Sequence, residues 1–217
     1  MIARTIPAHI HGRYLIVPPS GGGAAPVLVG FHGYAEAAEH QLERLRAIGP
    51  PREWLLVSIQ GLNRFYQRRT NEVIAGWMTR QDREIAIADN VRYVASVVDE
   101  VFREWPCEPT LVFAGFSQGV AMAFRAAARS PRAVAGVIAV GGDVPPEIEP
   151  EALARIRAAL LCHGARDEWY TPEKFAGDVS RLRSAGVAVR PLDFAGGHEW
   201  SDDVNRAAAA FLSEDTR

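Results

Sequence analysis

Thr110-Leu111-Val112-Phe113-Ala114-Gly115-Phe116-Ser117-Gln118-Gly119 is the stretch on which the fold turns. A continuous apolar run, 111–114, leads into Gly-X-Ser-X-Gly, and residues 117–128 follow as a helix with almost no gap. Such a run suits a parallel strand covered on both faces. Strand, tight turn and helix in this order are the setting of a nucleophile elbow. Gly115 and Gly119 stand two residues before and after the serine, where the turn is too sharp for a Cβ. Ser117 would project above the carboxyl ends of the strands, at a helix N-terminus that favours developing negative charge. A plain Gly/Ser turn capping a helix is the bland alternative.

Outward from this unit, short β-branched runs alternate with stretches of helical spacing. Residues 14–17 read as a strand, 18–25 as a Pro/Gly hairpin turn and 27–31 as a second strand. A helix is expected over 35–48, stopping at Gly49-Pro50-Pro51, and a strand over 54–59. Residues 60–81 have no period and read as a long loop. Asp82 is placed to cap a long helix to about Phe102. Beyond the elbow, strands are expected at 134–140, 159–162 and 187–194, with helices at 151–157, 172–184 and 201–212. Two strands followed by helix–strand units predict an α/β fold with a mostly parallel central sheet and helices on both faces. Nothing in the chain reads as a linker, so a single α/β domain over 1–217 is expected.

The 217 residues are 48% hydrophobic and 23% charged with a net charge of −2. That balance supplies no field for nucleic acid or an acidic membrane. Met1 to Pro7 lacks the roughly 7–15-residue apolar stretch of a secretory signal, and no run reaches the ~18 apolar residues of a membrane span. A soluble cytoplasmic protein without stable membrane insertion is expected, as monomer or homodimer. Cys107 and Cys162 read as buried thiols, with a disulfide as the minority alternative.

A serine nucleophile needs an adjacent base, and in this topology an acid and then a histidine follow it. His163 and His198 come after Ser117. His198, in the glycine loop Phe194-Ala195-Gly196-Gly197-His198, can reach the top of the sheet; His163 ends a strand and equally reads as a packed residue. Asp167, just beyond the strand 159–162, is the expected acid, and Asp143 in Gly141-Gly142-Asp143 is its rival. Oxyanion donors are expected from the backbone N–H of Gln118 and from the loop after Val27-Leu28-Val29-Gly30-Phe31-His32-Gly33, with Tyr34 N–H as the candidate. His32 is expected to shape that loop.

Phe31-His32-Gly33, Gly115-Phe116-Ser117-Gln118-Gly119, His163-Gly164 with Asp167, and Gly197-His198 together resemble the carboxylesterase/phospholipase family that includes acyl-protein thioesterases. The motifs run in order through most of the chain. The resemblance implies a largely lidless α/β hydrolase with a Ser117–Asp167–His198 triad, needing no cofactor and acting on small-molecule esters or thioesters. Departures from the family pattern are Val120 where a second glycine is usual, Ala35-Glu36 where Gly-Asp is frequent, and Pro172, displaced by one residue. They point to a loosely related bacterial esterase branch.

Trp77, in the loop 60–81, is assigned to the acyl pocket by the same resemblance, and Arg64, Arg68, Arg69 and Arg80 could favour an acidic group on the substrate. Aromatics tucked into the core and a solvated loop are the competing reading. Trp169, Tyr170 and Trp200 flank the triad as possible pocket walls. Gly21-Gly22-Gly23 precedes a strand and is no phosphate loop. His9 and His11 have no carboxylate or cysteine cluster beside them, so no metal is assigned. A peptide or amide hydrolase with the same triad, and a catalytically silent binding protein, stay open as alternatives.

Overall fold

Alternation along each strand divides the apolar residues between two layers, as the period of two in a strand requires. In the computed structural model, which describes residues 1–49, 53–214 and 216, the strands are β1 (Arg13–Val17), β2 (Ala25–Phe31), β3 (Leu55–Gln60), β4 (Asn63–Tyr66), β5 (Val73–Gly76), β6 (Cys107–Phe116), β7 (Gly136–Val140), β8 (Ala158–Gly164) and β9 (Ala188–Phe194). The helices are α1 (Ala38–Ile48), α2 (Arg83–Glu104), α3 (Gln118–Arg129), α4 (Pro150–Leu153), α5 (Pro172–Ser184) and α6 (Asp202–Glu214). Val29, Val57, Phe113, Val137 and Leu161 pack on one face with α2, α3 and Leu182 of α5. Leu28, Leu56, Val112, Ile138 and Leu160 pack on the other with α1 and α6.

The main sheet has the order β1-β3-β2-β6-β7-β8-β9. All its pairings are parallel except β1 with β3. The order reverses between β2 and β6: α1 carries the chain outward to β3 on one face, and α3 carries it the other way to β7 on the opposite face. A crevice at the carboxyl ends of the strands opens at such a switch point.

Three expectations are corrected. β1 and β2 do not form a hairpin; β1 pairs with β3, which lies between them. All residues of β3 are buried, so it needs a neighbour on each side, whereas the partly exposed β1 suits an edge. The stretch 60–81 holds a two-stranded antiparallel sheet of β4 and β5. β4 is exposed throughout, so no alternation betrayed it. Asp82 precedes α2 in a left-handed conformation (φ 49°) without a side-chain cap. Pro50 and Pro51, the expected stop of the first helix, lie outside the described residues. Both cysteines are free thiols, Cys162 buried and Cys107 half-buried. Among the described residues no helix is long and apolar enough to cross a membrane.

Candidate active site

The turn from β6 into α3 is as sharp as its glycines suggest. Ser117 has φ 52° and ψ −120°, a strained backbone for a residue with a side chain. It is held by its N–H bond to Val140 O at 2.9 Å and by Val120 N–H on its own carbonyl at 3.0 Å. A Cβ on Gly119 would stand 2.1 Å from Phe31 O, and one on Gly115 would stand 2.5 Å from Gly119 O. Glycine at both positions is what lets α3 start against the end of β2.

The loop after β9 delivers His198, whose Nε2 lies 2.8 Å from Ser117 Oγ. Its Nδ1 lies 2.8 Å from Asp167 Oδ2, in the loop after β8. The two loops are stitched together by Ala165 N–H on Phe194 O at 2.9 Å and Arg166 N–H on Gly196 O at 2.8 Å. Asp167 is buried, and its Oδ1 accepts the N–H groups of Trp169 at 2.8 Å and Tyr170 at 3.0 Å. Burial opposes its ionisation, but the Tyr170 amide, the His198 ring and the Trp169 amide together hold its pKa below the ordinary aspartate value. A hydroxyl, an imidazole and a buried carboxylate in this chain can pass the hydroxyl proton to the ring.

The rival residues stand elsewhere. Asp143 is exposed on the rim, 3.9 Å from Lys174. His163 is buried, stacked on Phe175 with ring centroids 5.2 Å apart, and its Nδ1 meets Asp193 Oδ1 at 3.1 Å. It is the packed histidine of the two.

Gln118 opens α3, where the first N–H groups have no partner within the helix. Across the crevice, Gly33 N–H bonds Glu36 Oε2 at 2.7 Å and Ala35 N–H bonds Ala75 O at 3.0 Å. The Tyr34 N–H between them has no acceptor among the described residues. His32 is buried beneath: its Nδ1 donates to Gly33 O at 2.7 Å and its Nε2 accepts Gly61 N–H at 2.9 Å. Burial lowers its pKa, favouring the neutral ring that this pattern needs.

An open cleft of about 270 Å³ leaves Ser117 and His198 between Met78, Ala121, Arg125, Pro146 and Trp169. The aromatic assignments sort differently from expectation. Trp77 is fully buried rather than in a pocket wall; its indole N–H donates to His32 O at 2.8 Å and its ring packs on Phe31 and His32. Trp200 is half-buried against the α1–α6 layer and bonds Asn205 Oδ1 at 2.8 Å, away from the cleft. Tyr170 is buried and gives its hydroxyl to Asp178 at 3.1 Å. Trp169, 75% exposed, is the one of the four that lines the cleft. Sequence reasoning used the backbone of Gln118 and missed its side chain. That side chain accepts Trp77 N–H at 2.8 Å and donates to Met78 O at 3.2 Å, pinning the segment after β5 beside the nucleophile. Ala121 and Arg125 were also missed as cleft residues; the spacing 117, 121, 125 on α3 was the available signal.

A parallel sheet reversing at the crevice, with a strained serine there, is the framework of the α/β-hydrolase enzymes. The phospholipase/carboxylesterase family model matches residues 16–212, and the chain belongs to that family of serine hydrolases. No curated protein matches the chain. Solved structures share the fold at low identity. A carboxylesterase from Mesorhizobium loti is 20% identical with a TM-score of 0.77, over 94% of this chain and 95% of that one. Zea mays acyl-protein thioesterase 2 is 19% identical with a TM-score of 0.75, over 95% and 100%. The Bacillus cereus carboxylesterase is 15% identical with a TM-score of 0.75, over 94% of each chain.

Proposed function

We propose that the protein, acting as a single domain, hydrolyses carboxylic esters or thioesters through an acyl-enzyme on Ser117. The observation that carries this reading is the pair of 2.8 Å contacts running from Ser117 Oγ through His198 to the buried Asp167. His198 Nε2 takes the proton as Oγ attacks the acyl carbonyl. Asp167 holds the Nδ1–H tautomer and balances the imidazolium. The N–H groups of Gln118 and Tyr34 receive the oxyanion, each such donor being worth about 10²–10³ in rate. His198 then gives its proton to the departing alcohol or thiol, and repeats both transfers with water to release the acid.

A fluorophosphonate probe applied to wild type and Ser117→Ala, followed by a screen of esters and thioesters, tests this. Labelling confined to the wild type, with turnover, is the expected result. A folded wild type that neither labels nor turns over any ester would refute it.

A further inference from the structure

Ser117, Ala121 and Arg125 stand four residues apart and line the same cleft, as positions one helical turn apart do. Two turns, about 12 Å of α3, separate the nucleophile from the arginine. Arg125 is 2% exposed. Its Nε and Nη2 are held by Glu147 Oε1 at 2.8 and 2.6 Å. Among the described residues its Nη1 meets only Met78 Sδ, at 3.4 Å, and a thioether sulfur is a weak acceptor. A buried guanidinium with a poorly satisfied donor edge therefore lines a cavity that starts at the nucleophile.

The other charges around the cleft are paired with one another. Arg83, Arg125 and Lys174 line the cleft against Asp143. Glu147 offsets Arg125, Arg83 reaches the exposed Glu84 at 2.8 Å, and Lys174 donates to Trp169 O at 2.9 Å. Lys174 also lies 3.9 Å from Asp143, so each cation has a carboxylate near it, and Arg125 is the buried one of the three. The departing group belongs at the triad end, because His198 must return a proton to it, so the arm along α3 receives the acyl group. A long alkyl chain there would press apolar surface on the Arg125–Glu147 pair and strip it of solvent without replacing any hydrogen bond, which is costly. A carboxylate would replace the sulfur contact with a charge-assisted bond.

Building on the serine-hydrolase reading, we propose that Arg125 determines specificity by receiving the distal carboxylate of a short acyl group, so that the cleft selects half-esters of dicarboxylic acids over plain alkanoates.

The test compares kcat/KM for monoethyl glutarate and ethyl pentanoate, followed by pH-stat, in the full-length protein. Wild type prefers the half-ester at least tenfold. Arg125→Met lowers that ratio at least tenfold, and Glu147→Gln, which removes the competing carboxylate, raises it. Arg125→Lys keeps the charge but not the fork and gives an intermediate ratio; with Glu147→Gln it carries the test if Arg125→Met does not fold. Added salt weakens the contribution of the half-buried Arg83 and the exposed Lys174 and leaves most of that of the buried Arg125. A wild type that labels at Ser117 but turns over ethyl pentanoate as well as the half-ester overturns the proposal and leaves the hydrolase reading standing. A ratio that these substitutions leave unmoved also overturns it. A protein that neither labels nor cleaves either ester removes both.

Discussion

Asparagine at position 167 exchanges one carboxylate oxygen for an NH₂ group, and the surroundings dictate which one. Oδ1 accepts two backbone N–H groups, from Trp169 and Tyr170, while Oδ2 faces the single Nδ1 of His198. Turning the NH₂ toward the two amides would set donors against donors and leave both unsatisfied, at roughly 1–3 kcal/mol each. The side chain therefore keeps its oxygen on the amides and presents the NH₂ to His198. Nδ1 must then accept, the ring proton moves to Nε2, and Nε2 can no longer take a proton from Ser117 Oγ. In a Ser-His-Asp triad the wrong tautomer costs about 10⁴ in kcat, or about 5.4 kcal/mol in barrier. Asp167→Asn is expected to lose that much in kcat on a short-chain ester, with KM little changed and thermal unfolding close to wild type. Asp143→Asn should stay within about threefold, since Asp143 lies on the exposed rim near Lys174. A loss below tenfold in Asp167→Asn, or an equal loss in Asp143→Asn, refutes the reasoning.

Gly119→Ala should destabilise by about 3 kcal/mol or more and cut turnover, because its Cβ would run into the Phe31–His32 backbone, with Phe31 O at 2.1 Å. Gly177→Ala, in α5 with nothing within 4 Å of the new Cβ, should stabilise by about 0.4–1 kcal/mol; urea titration of both separates contact from helix propensity. Ala35→Gly should gain about 0.5–1 kcal/mol in the same assay by relieving a left-handed backbone at φ 59°. His32 gives a pH signature. Its folded pKa is lowered, so its contribution is complete above the unfolded value of about 6.5 and is lost as pH falls toward the folded value, at up to about 1.4 kcal/mol per unit. The stability penalty of His32→Gln should therefore be larger at pH 7.5 than at pH 5.5, and equal penalties would contradict the neutral-ring assignment.

What was legible in the chain followed from how strongly each segment is buried. β6, β7 and β8 are covered on both faces, and their continuous apolar runs announced them with ends misplaced by a few residues. α5 runs between the expected residues, Pro172 and Ser184, because proline at its start and Gly186 at φ 86° beyond its end punctuate it. The site residues could be proposed because every one follows a strand: Tyr34 after β2, Ser117 after β6, Asp167 after β8, His198 after β9. The pairing of β1 could not be read, since local patterning carries no information about which strand enters between two others. Nor could the β4–β5 sheet, whose first strand buries nothing. Tryptophan positions misled for a related reason. Trp77 lies near the nucleophile in space, yet its size and its indole N–H are both used inside the protein, and sequence proximity to a site does not say which way a ring turns.

The departures from the family pattern become intelligible at the same level. The backbone at residue 35 is left-handed, the conformation for which glycine is the easy choice; alanine there accepts strain to keep the loop's path. Glu36 then reaches Gly33 N–H at 2.7 Å while Arg44 of α1 holds both of its oxygens at 2.6 Å. Burial works against the Glu36 carboxylate, but Arg44 and the Gly33 amide hold its pKa below the ordinary glutamate value. The carboxylate occupies the donors on one side of Tyr34 N–H, and Ala75 O occupies the one on the other. The amide between them is left without an acceptor among the described residues. On the opposite wall the Gln118 side chain, by holding Trp77 and Met78, ties the residue that offers the other N–H to the segment that supports His32. The two candidate oxyanion donors are therefore parts of one hydrogen-bonded frame. Oriented donors of this kind cost little reorganisation when charge develops, which is what a cleft open to water has to rely on.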